Sequence, residues 1–239
     1  MSDSIKHECG VAMLRLLKPL EYYQKKYGTS IYGLNKMYLL MEKQHNRGQD
    51  GVGLANVKLD VAPGKRYISR KRSVASNPIQ DVFKQVNKRF VELEERDPDK
   101  LKDPKWMKEN LPFTGELFLG HLRYGTFGSN TIEQCHPFLR QNNWKTRNLV
   151  LAGNFNMTNV DELFEQLLDL GQHPKQMADT VTILEKIGHF LDEANDDIYY
   201  ENREKFSKKE ITKVIEDKLD LQDVLTQSAK YWDGGYVMC

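Results

Sequence analysis

Apolar positions fall into short blocks along the chain, and the period within each block marks the element it predicts. The block CGVAMLRL, from Cys9 to Leu16, reads as a buried strand. From Ser30 to His45 the period becomes helical and sets Ile31, Leu34, Tyr38 and Met41 on one face. In RGQDGVGLANV, the glycines Gly48, Gly51 and Gly53 frame a tight loop that runs into a second strand, because glycine permits close backbone approach. Between about Ser76 and Pro112 the composition turns highly charged. That stretch predicts one amphipathic helix followed by a Pro-punctuated loop, together a surface insertion. Strands return at GELFLGHLRYG and RNLVLAGN, with GSNTIEQCHPF between them as loop.

Asn159 and Glu162 stand at capping-box spacing ahead of VDELFEQLLDL, and Gly171 supplies the stop of that helix. A second helix is expected over Met177–Phe190, then an acidic and aromatic linker, then a helix over about Ser207–Lys230. Residues 191–230 thus read as a second charged insertion, and GGYVMC opens a strand cut short at the C-terminal edge. There is no internal repeat. Strand, helix, strands and then helices is an order that suits α+β layers rather than alternating βαβ units.

Composition narrows the function classes. The chain has 239 residues, 39% of them hydrophobic, enough to bury one large core or two modest ones. Its 35 basic and 34 acidic residues leave a net charge of +1, so no overall field draws it to nucleic acid or an anionic membrane. No apolar run approaches the roughly 18 to 20 residues that cross a bilayer, and MSDSIKHE has no signal-peptide core, which gives a cytoplasmic address. Cys9, Cys135 and Cys239 are an odd count without metal-ligand spacing, against both a disulfide framework and a metal site. Neither a GxxxxGK(S/T) phosphate loop nor a GxGxxG fingerprint is present, and the charged stretches lack basic-aromatic interleaving.

Cys9 is the first residue with chemical promise. A cysteine opening an apolar strand is by itself more often a small core residue than a nucleophile. Its place just behind a short polar leader suggests otherwise. A free α-amine has a pKa of about 7.7 to 8.0, so near neutrality it can accept a proton from an adjacent thiol. While Glu8 remains attached, the Cys9 nitrogen is an amide and has no such basicity.

CGVAML, RGQDGVG, GHLRYGTFGS, HPF, LAGNFNMTN and ADTVTIL resemble, in the same order, motifs of the class II, N-terminal-nucleophile glutamine amidotransferases. They span Cys9 to about Leu184, and DGGYVMC resembles the strand that follows. Within that family Gln49 is similar to the amidophosphoribosyltransferases of purine synthesis, and IKHE resembles the short propeptides, ending in Glu, that some of them remove by self-cleavage. The resemblance makes residues 1–8 a leader, residues 9–239 the amidotransferase domain and Cys9 the nucleophile.

The resemblance also assigns the other site residues. Arg123 would hold the α-carboxylate of glutamine, as a planar guanidinium fork is suited to do, with Thr126 as a further contact. Asp179 would take the α-ammonium. Asn154 and the backbone N–H of Phe155 would form the oxyanion hole, although the family motif is Asn-Gly-Asn where this chain reads Asn154-Phe155-Asn156. A non-Gly residue does not readily adopt positive φ, so the backbone at Phe155 becomes a question for the structure. Arg47, Gly48 and Gln49 would shape the pocket, and Asn46 is an extra residue that shifts the preceding helix end. Cys135 and His136, adjacent in a loop, are not expected to pair as nucleophile and base.

The implied fold is α+β, a four-layer αββα arrangement of two antiparallel sheets between helical layers, with Arg123, Asn154 and Asp179 converging on Cys9. The implied reaction is hydrolysis of glutamine to glutamate and ammonia through a thioester. The ammonia would go to phosphoribosyl pyrophosphate on a second domain absent from this segment. No cofactor is expected in the segment itself; Mg and, in some relatives, an iron–sulfur cluster would belong to a homo-oligomeric full-length protein. Two alternatives stay open: a glutaminase serving a sugar-phosphate acceptor, and a non-catalytic glutamine-binding module.

Overall fold

The computed structural model describes residues 8–125 and 131–239, so most of the leader and Thr126 lie outside the described residues. These residues divide into two compact units. One comprises the described chain up to Pro137 with Ala152–Asn154 and Met238–Cys239; the other comprises Phe138–Leu151 and Phe155–Val237.

In the first unit, strands β1 (Gly10–Arg15), β2 (Gly51–Val57), β3 (Ile68–Ser73) and β4 (Leu117–Arg123) form an antiparallel sheet in the order β1-β4-β2-β3. The register sets Gly10 against Leu122 and Leu122 against Val52, so β4 lies at the centre between β1 and β2. Because side chains alternate across a strand, the pairing sorts the sheet into two faces. Ala12, Val52, Leu54, Phe118 and Leu122 point to one of them and belong to a single apolar cluster. Val11, His121, Gly53, Gly51 and Arg123 point to the other.

Helices α1 (Leu20–Tyr27), α2 (Tyr32–Lys43), α3 (Pro78–Arg96) and α4 (Pro104–Asn110) complete this unit. From α2, Leu34, Met37 and Met41 are buried against the apolar face. Two glycines let helix and sheet approach: a Cβ on Gly33 would come within 2.6 Å of the Phe118 ring, and one on Gly120 within 2.7 Å of the Met41 sulfur. The charged stretch 76–112, expected at the surface, contributes to the core instead. Val82, Phe83, Val86, Phe90 and Leu93 repeat at helical spacing and bury one side of α3, while lysines, arginines and glutamates occupy the other. The amphipathic helix is there as expected, but its apolar stripe packs into the main core rather than lying on a surface insertion.

The second unit contains the paired strands β5 (Phe138–Arg140) and β6 (Leu149–Leu151), with helices α5 (Val160–Asp169), α6 (Asp179–Asn202), α7 (Ile211–Lys218) and α8 (Leu221–Ala229). Strands β7 (Gly153–Met157) and β8 (Gly234–Met238) form a further two-stranded sheet.

Three sequence expectations change in this unit. The expected capping box at Asn159 is not made, because the Asn159 side chain donates to the Tyr231 carbonyl at 2.8 Å and accepts from Asp233 N at 3.2 Å. The acidic and aromatic linker is the second half of α6. There Asp192 receives both terminal nitrogens of Arg140, at 3.2 and 2.6 Å, and Asp196 pairs with Arg147. The single helix expected over 207–230 is two, interrupted where Asp220 caps α8 by accepting from Gln222 N and Asp223 N. The antiparallel sheets and the helices together make an α+β chain, as the element order implied.

Candidate active site

The sequence-predicted nucleophile sits where β1 begins. Continuing the β1–β4 register by one residue sets Cys9 against Arg123, and on the other side Gly51 pairs with Arg123. Three of the quoted motifs, CGVAML, GHLRYG and RGQDGVG, therefore meet at one end of the sheet. The half-buried Cys9 sulfur accepts a hydrogen bond from Tyr124 N at 3.4 Å and lies 3.9 Å from the Tyr124 carbonyl oxygen.

The loop after α2 braces that end of β4. The chain tightens into a 3-10 turn over His45–Arg47, and Gly48 then passes so close to β4 that a Cβ on it would lie 2.5 Å from the Arg123 carbonyl carbon. Asp50 N donates to the Arg123 carbonyl at 3.1 Å, and Asp50 Oδ2 accepts from Gly125 N at 2.8 Å. Arg47 and Gln49 are exposed beside the buried Gly48. The Arg123 side chain is largely buried, and one terminal nitrogen donates to Gln134 Oε1 at 2.6 Å.

Asn154 is half-buried and belongs to the first unit with Cys9 and Arg123. Phe155, the next residue, continues β7 and is not among the residues with positive φ. The backbone here is extended strand, which any residue adopts without strain. Asp179 lies in the second unit as the first residue of α6. Its Oδ1 accepts from Thr180 N at 2.7 Å, and burial raises its carboxyl pKa, partly offset by that bond.

Cys135 and His136 do not form a nucleophile–base pair. The buried Cys135 thiol lies against the Ser73 and Thr131 carbonyls, at 4.0 and 3.8 Å, and burial raises its pKa. His136 instead stacks on His121 with ring centroids 4.2 Å apart. Sequence reasoning weighed His136 only as a partner for Cys135 and passed over His121. His121 could have been found from its place two residues before Arg123, which puts the two on the same face of β4. Among the described residues no group of three or more His, Cys, Asp or Glu side chains is placed to hold a metal ion.

No protein-family model matches the chain. Over 150 residues, 62% of its length, it is 29% identical to an amidophosphoribosyltransferase of Pasteurella multocida (strain Pm70). The chain resembles amidophosphoribosyltransferases. A second relative of that name, from Lacticaseibacillus casei, is 34% identical over 76 residues, 32% of the chain. These alignments span 23% and 38% of the two curated relatives, so the chain corresponds to a minor part of each. Among solved structures, a glutamine phosphoribosylpyrophosphate amidotransferase from B. subtilis complexed with ADP and GMP aligns over 95% of the chain and 34% of its own, with 20% identity and a TM-score of 0.49. A structure described as the allosteric regulatory enzyme of purine biosynthesis aligns over 87% of the chain and 31% of its own, with 19% identity and a TM-score of 0.48.

Proposed function

We infer that this chain carries the glutamine-hydrolysing site of an amidophosphoribosyltransferase-like class II amidotransferase. One observation carries the reading: Cys9 at the start of β1 meets the Arg123–Tyr124 end of β4, with Tyr124 N–H donating to its sulfur. In this reading removal of residues 1–8 turns the Cys9 nitrogen into a basic amine. That amine takes the thiol proton, and the thiolate attacks the side-chain carbonyl carbon of glutamine. Cleavage of the C–N bond expels ammonia, which carries that proton, and leaves a γ-glutamyl thioester; water then releases glutamate and restores the thiol.

Arg123 and Thr126 would take the substrate α-carboxylate and Asp179 its α-ammonium. Together they would select a free amino acid by its two opposite charges. Asn154 and the Phe155 N–H would stabilise the oxyanion, and Arg47, Gly48 and Gln49 would wall the pocket. The ammonia would pass to phosphoribosyl pyrophosphate bound by a second domain outside this chain. The Mg ion, and the iron–sulfur cluster of some relatives, would accompany that domain in a cytoplasmic homo-oligomer. In the described residues no helix is long and apolar enough to cross a membrane.

Phe155 at the family's glycine position favours a second reading, a module that binds glutamine without turning it over. Mass spectrometry of the N-terminus combined with a glutamate-release assay separates the two. We expect a chain beginning at Cys9 that releases glutamate, and a Cys9→Ala variant that releases none above background. A processed chain that binds glutamine yet yields no glutamate would favour the module, and near-normal turnover by Cys9→Ala would refute the nucleophile.

A further inference from the structure

We propose that His121 and His136 are positioning residues for glutamine hydrolysis, clamping the Gly153 peptide from both sides so that Asn154 presents its oxyanion donor in place. The proposal rests on the glutaminase reading and adds to it two residues outside the substrate contacts assigned above.

The geometry is specific. Gly153 N donates to His136 Nδ1 at 3.1 Å, and the Gly153 carbonyl lies 3.1 Å from His121 Nε2. The first bond requires a bare Nδ1 on His136; the second requires a proton on Nε2 of His121. One neutral imidazole therefore accepts and the other donates, which satisfies both polar groups of a buried glycine. The two rings stack at 4.2 Å between centroids, with 26° between their planes, and His121 and His136 are 1% and 8% exposed. Burial is also the main reason that both imidazoles titrate well below 6.5, His121 at about 4, so both stay neutral near pH 7.

The clamped glycine immediately precedes Asn154. Its N–H belongs to the peptide plane shared with Ala152, and its carbonyl belongs to the plane shared with Asn154. Holding both planes fixes the Asn154 N and Cα atoms from which its side chain departs. Ala152 is tied on the other side through paired hydrogen bonds with Cys239, at 2.9 and 2.8 Å. An oxyanion donor stabilises a transition state only when it is held within about half an ångström of its place. Asn154 lies on the strand β7, and the clamp adds a constraint on the residue immediately before it.

The histidines are themselves held. His121 lies on β4 two residues before Arg123, between Val11 of β1 and Gly53 of β2. His136 lies on a segment whose carbonyls meet the arginines of β3: Arg72 donates to the Cys135 carbonyl at 2.9 Å and Arg70 to the Pro137 carbonyl at 3.2 Å. Between them, the His136 carbonyl lies on Gly53 so closely that any Cβ there would overlap it. The same face of the sheet thus places Cys9 and Arg123 at one end and the clamp about 7 Å further along, at two residues of strand rise.

The test uses the full chain processed to begin at Cys9. His121→Met matches the ring roughly in volume and removes the donor; His121→Gln places an amide N–H near the position of Nε2. We expect His121→Met to lower kcat for glutamate release about 100-fold, the range for a misplaced oxyanion donor, with KM for glutamine changed less than about 3-fold. His121→Gln should recover most of that loss. Alkylation of Cys9 by iodoacetamide needs no oxyanion hole and should keep its rate in both variants.

His136→Met, read against His136→Asn, whose Oδ1 can replace the acceptor, makes the same comparison if the His121 variants fail to fold. Unchanged kcat in both Met variants would overturn the clamp, as would a fall that Gln and Asn do not rescue. An unsubstituted chain beginning at Cys9 that releases no glutamate would overturn the glutaminase reading and the clamp with it, whereas hydrolysis indifferent to the histidines would overturn the clamp alone.

Discussion

At the scale of single residues, the site depends on charge-bearing groups held by backbone rather than by one another. Tyr124 N–H points at the Cys9 sulfur, and Asp50 N and Gly48 brace the Arg123 carbonyl. A fork-shaped guanidinium in such a setting is not replaced by an ammonium, which is a point charge without paired parallel donors. Arg123→Lys is therefore expected to raise KM for glutamine by roughly 10- to 100-fold and to alter kcat less, as steady-state glutaminase kinetics would show. If KM is unchanged, Arg123 does not hold the substrate carboxylate. The strands that bring Cys9 and Arg123 together were legible in the sequence because each is a short run of apolar and β-favouring residues. The histidine pair was not, because the bonds that give it meaning join residues 121, 136 and 153 across the fold.

At the scale of elements, packing overruled several local signals. The helix α1 is bracketed by Pro19 and by Gly28 at φ 75°, punctuation that could have revealed it, but eight residues carry too little periodicity to stand out. The strand β3, ISRKRS, has almost no apolar residues because it is an edge strand. Arg70 and Arg72 serve on one of its faces as donors to the segment that carries His136. The continuation of α6 past Phe190 was hidden for a related reason: acidic side chains that suggest a linker are ligands of Arg140 and Arg147.

Close approach between elements gives a sharp prediction. Gly53→Ala forces a Cβ into the His136 carbonyl, and backbone cannot yield as a side-chain tip does. A loss of roughly 3 kcal/mol is expected, readable as a lower urea midpoint at unchanged m-value. Wild-type stability in Gly53→Ala would show that the segment is free to move.

At the scale of the whole molecule, near-neutral net charge leaves stability to depend on particular buried groups. His121 and His136 are neutral when folded and titrate lower than the 6.5 of an unfolded chain. Between about pH 6.5 and pH 4 the unfolded chain binds protons that the folded chain refuses, so stability is full above that window and falls as pH drops through it. For His121 alone the loss is on the order of 3 kcal/mol. Asp179 acts in the opposite direction at the acid end, since burial raises its carboxyl and makes ionisation easier in the unfolded state. Urea midpoints between pH 4 and pH 7 should rise with pH, and His121→Met should flatten the rise; a flat wild-type profile would mean that the histidines are not buried neutral.

In the second unit, Arg140→Met removes the donors to Asp192 and Glu185 and is expected to cost roughly 1 to 3 kcal/mol. Faster amide hydrogen exchange along α6 would report that loss.

The sequence by itself determined the strand at Cys9, the glycine loop before β2 and the strand carrying Arg123, because these depend on period and turn residues. Only the tertiary structure decided that the charged stretch 76–112 buries a stripe of α3, that Phe155 lies in extended backbone, and that two histidines grip Gly153. Those outcomes depend on which distant residues a side chain or peptide group meets, and no local pattern encodes a partner thirty positions away.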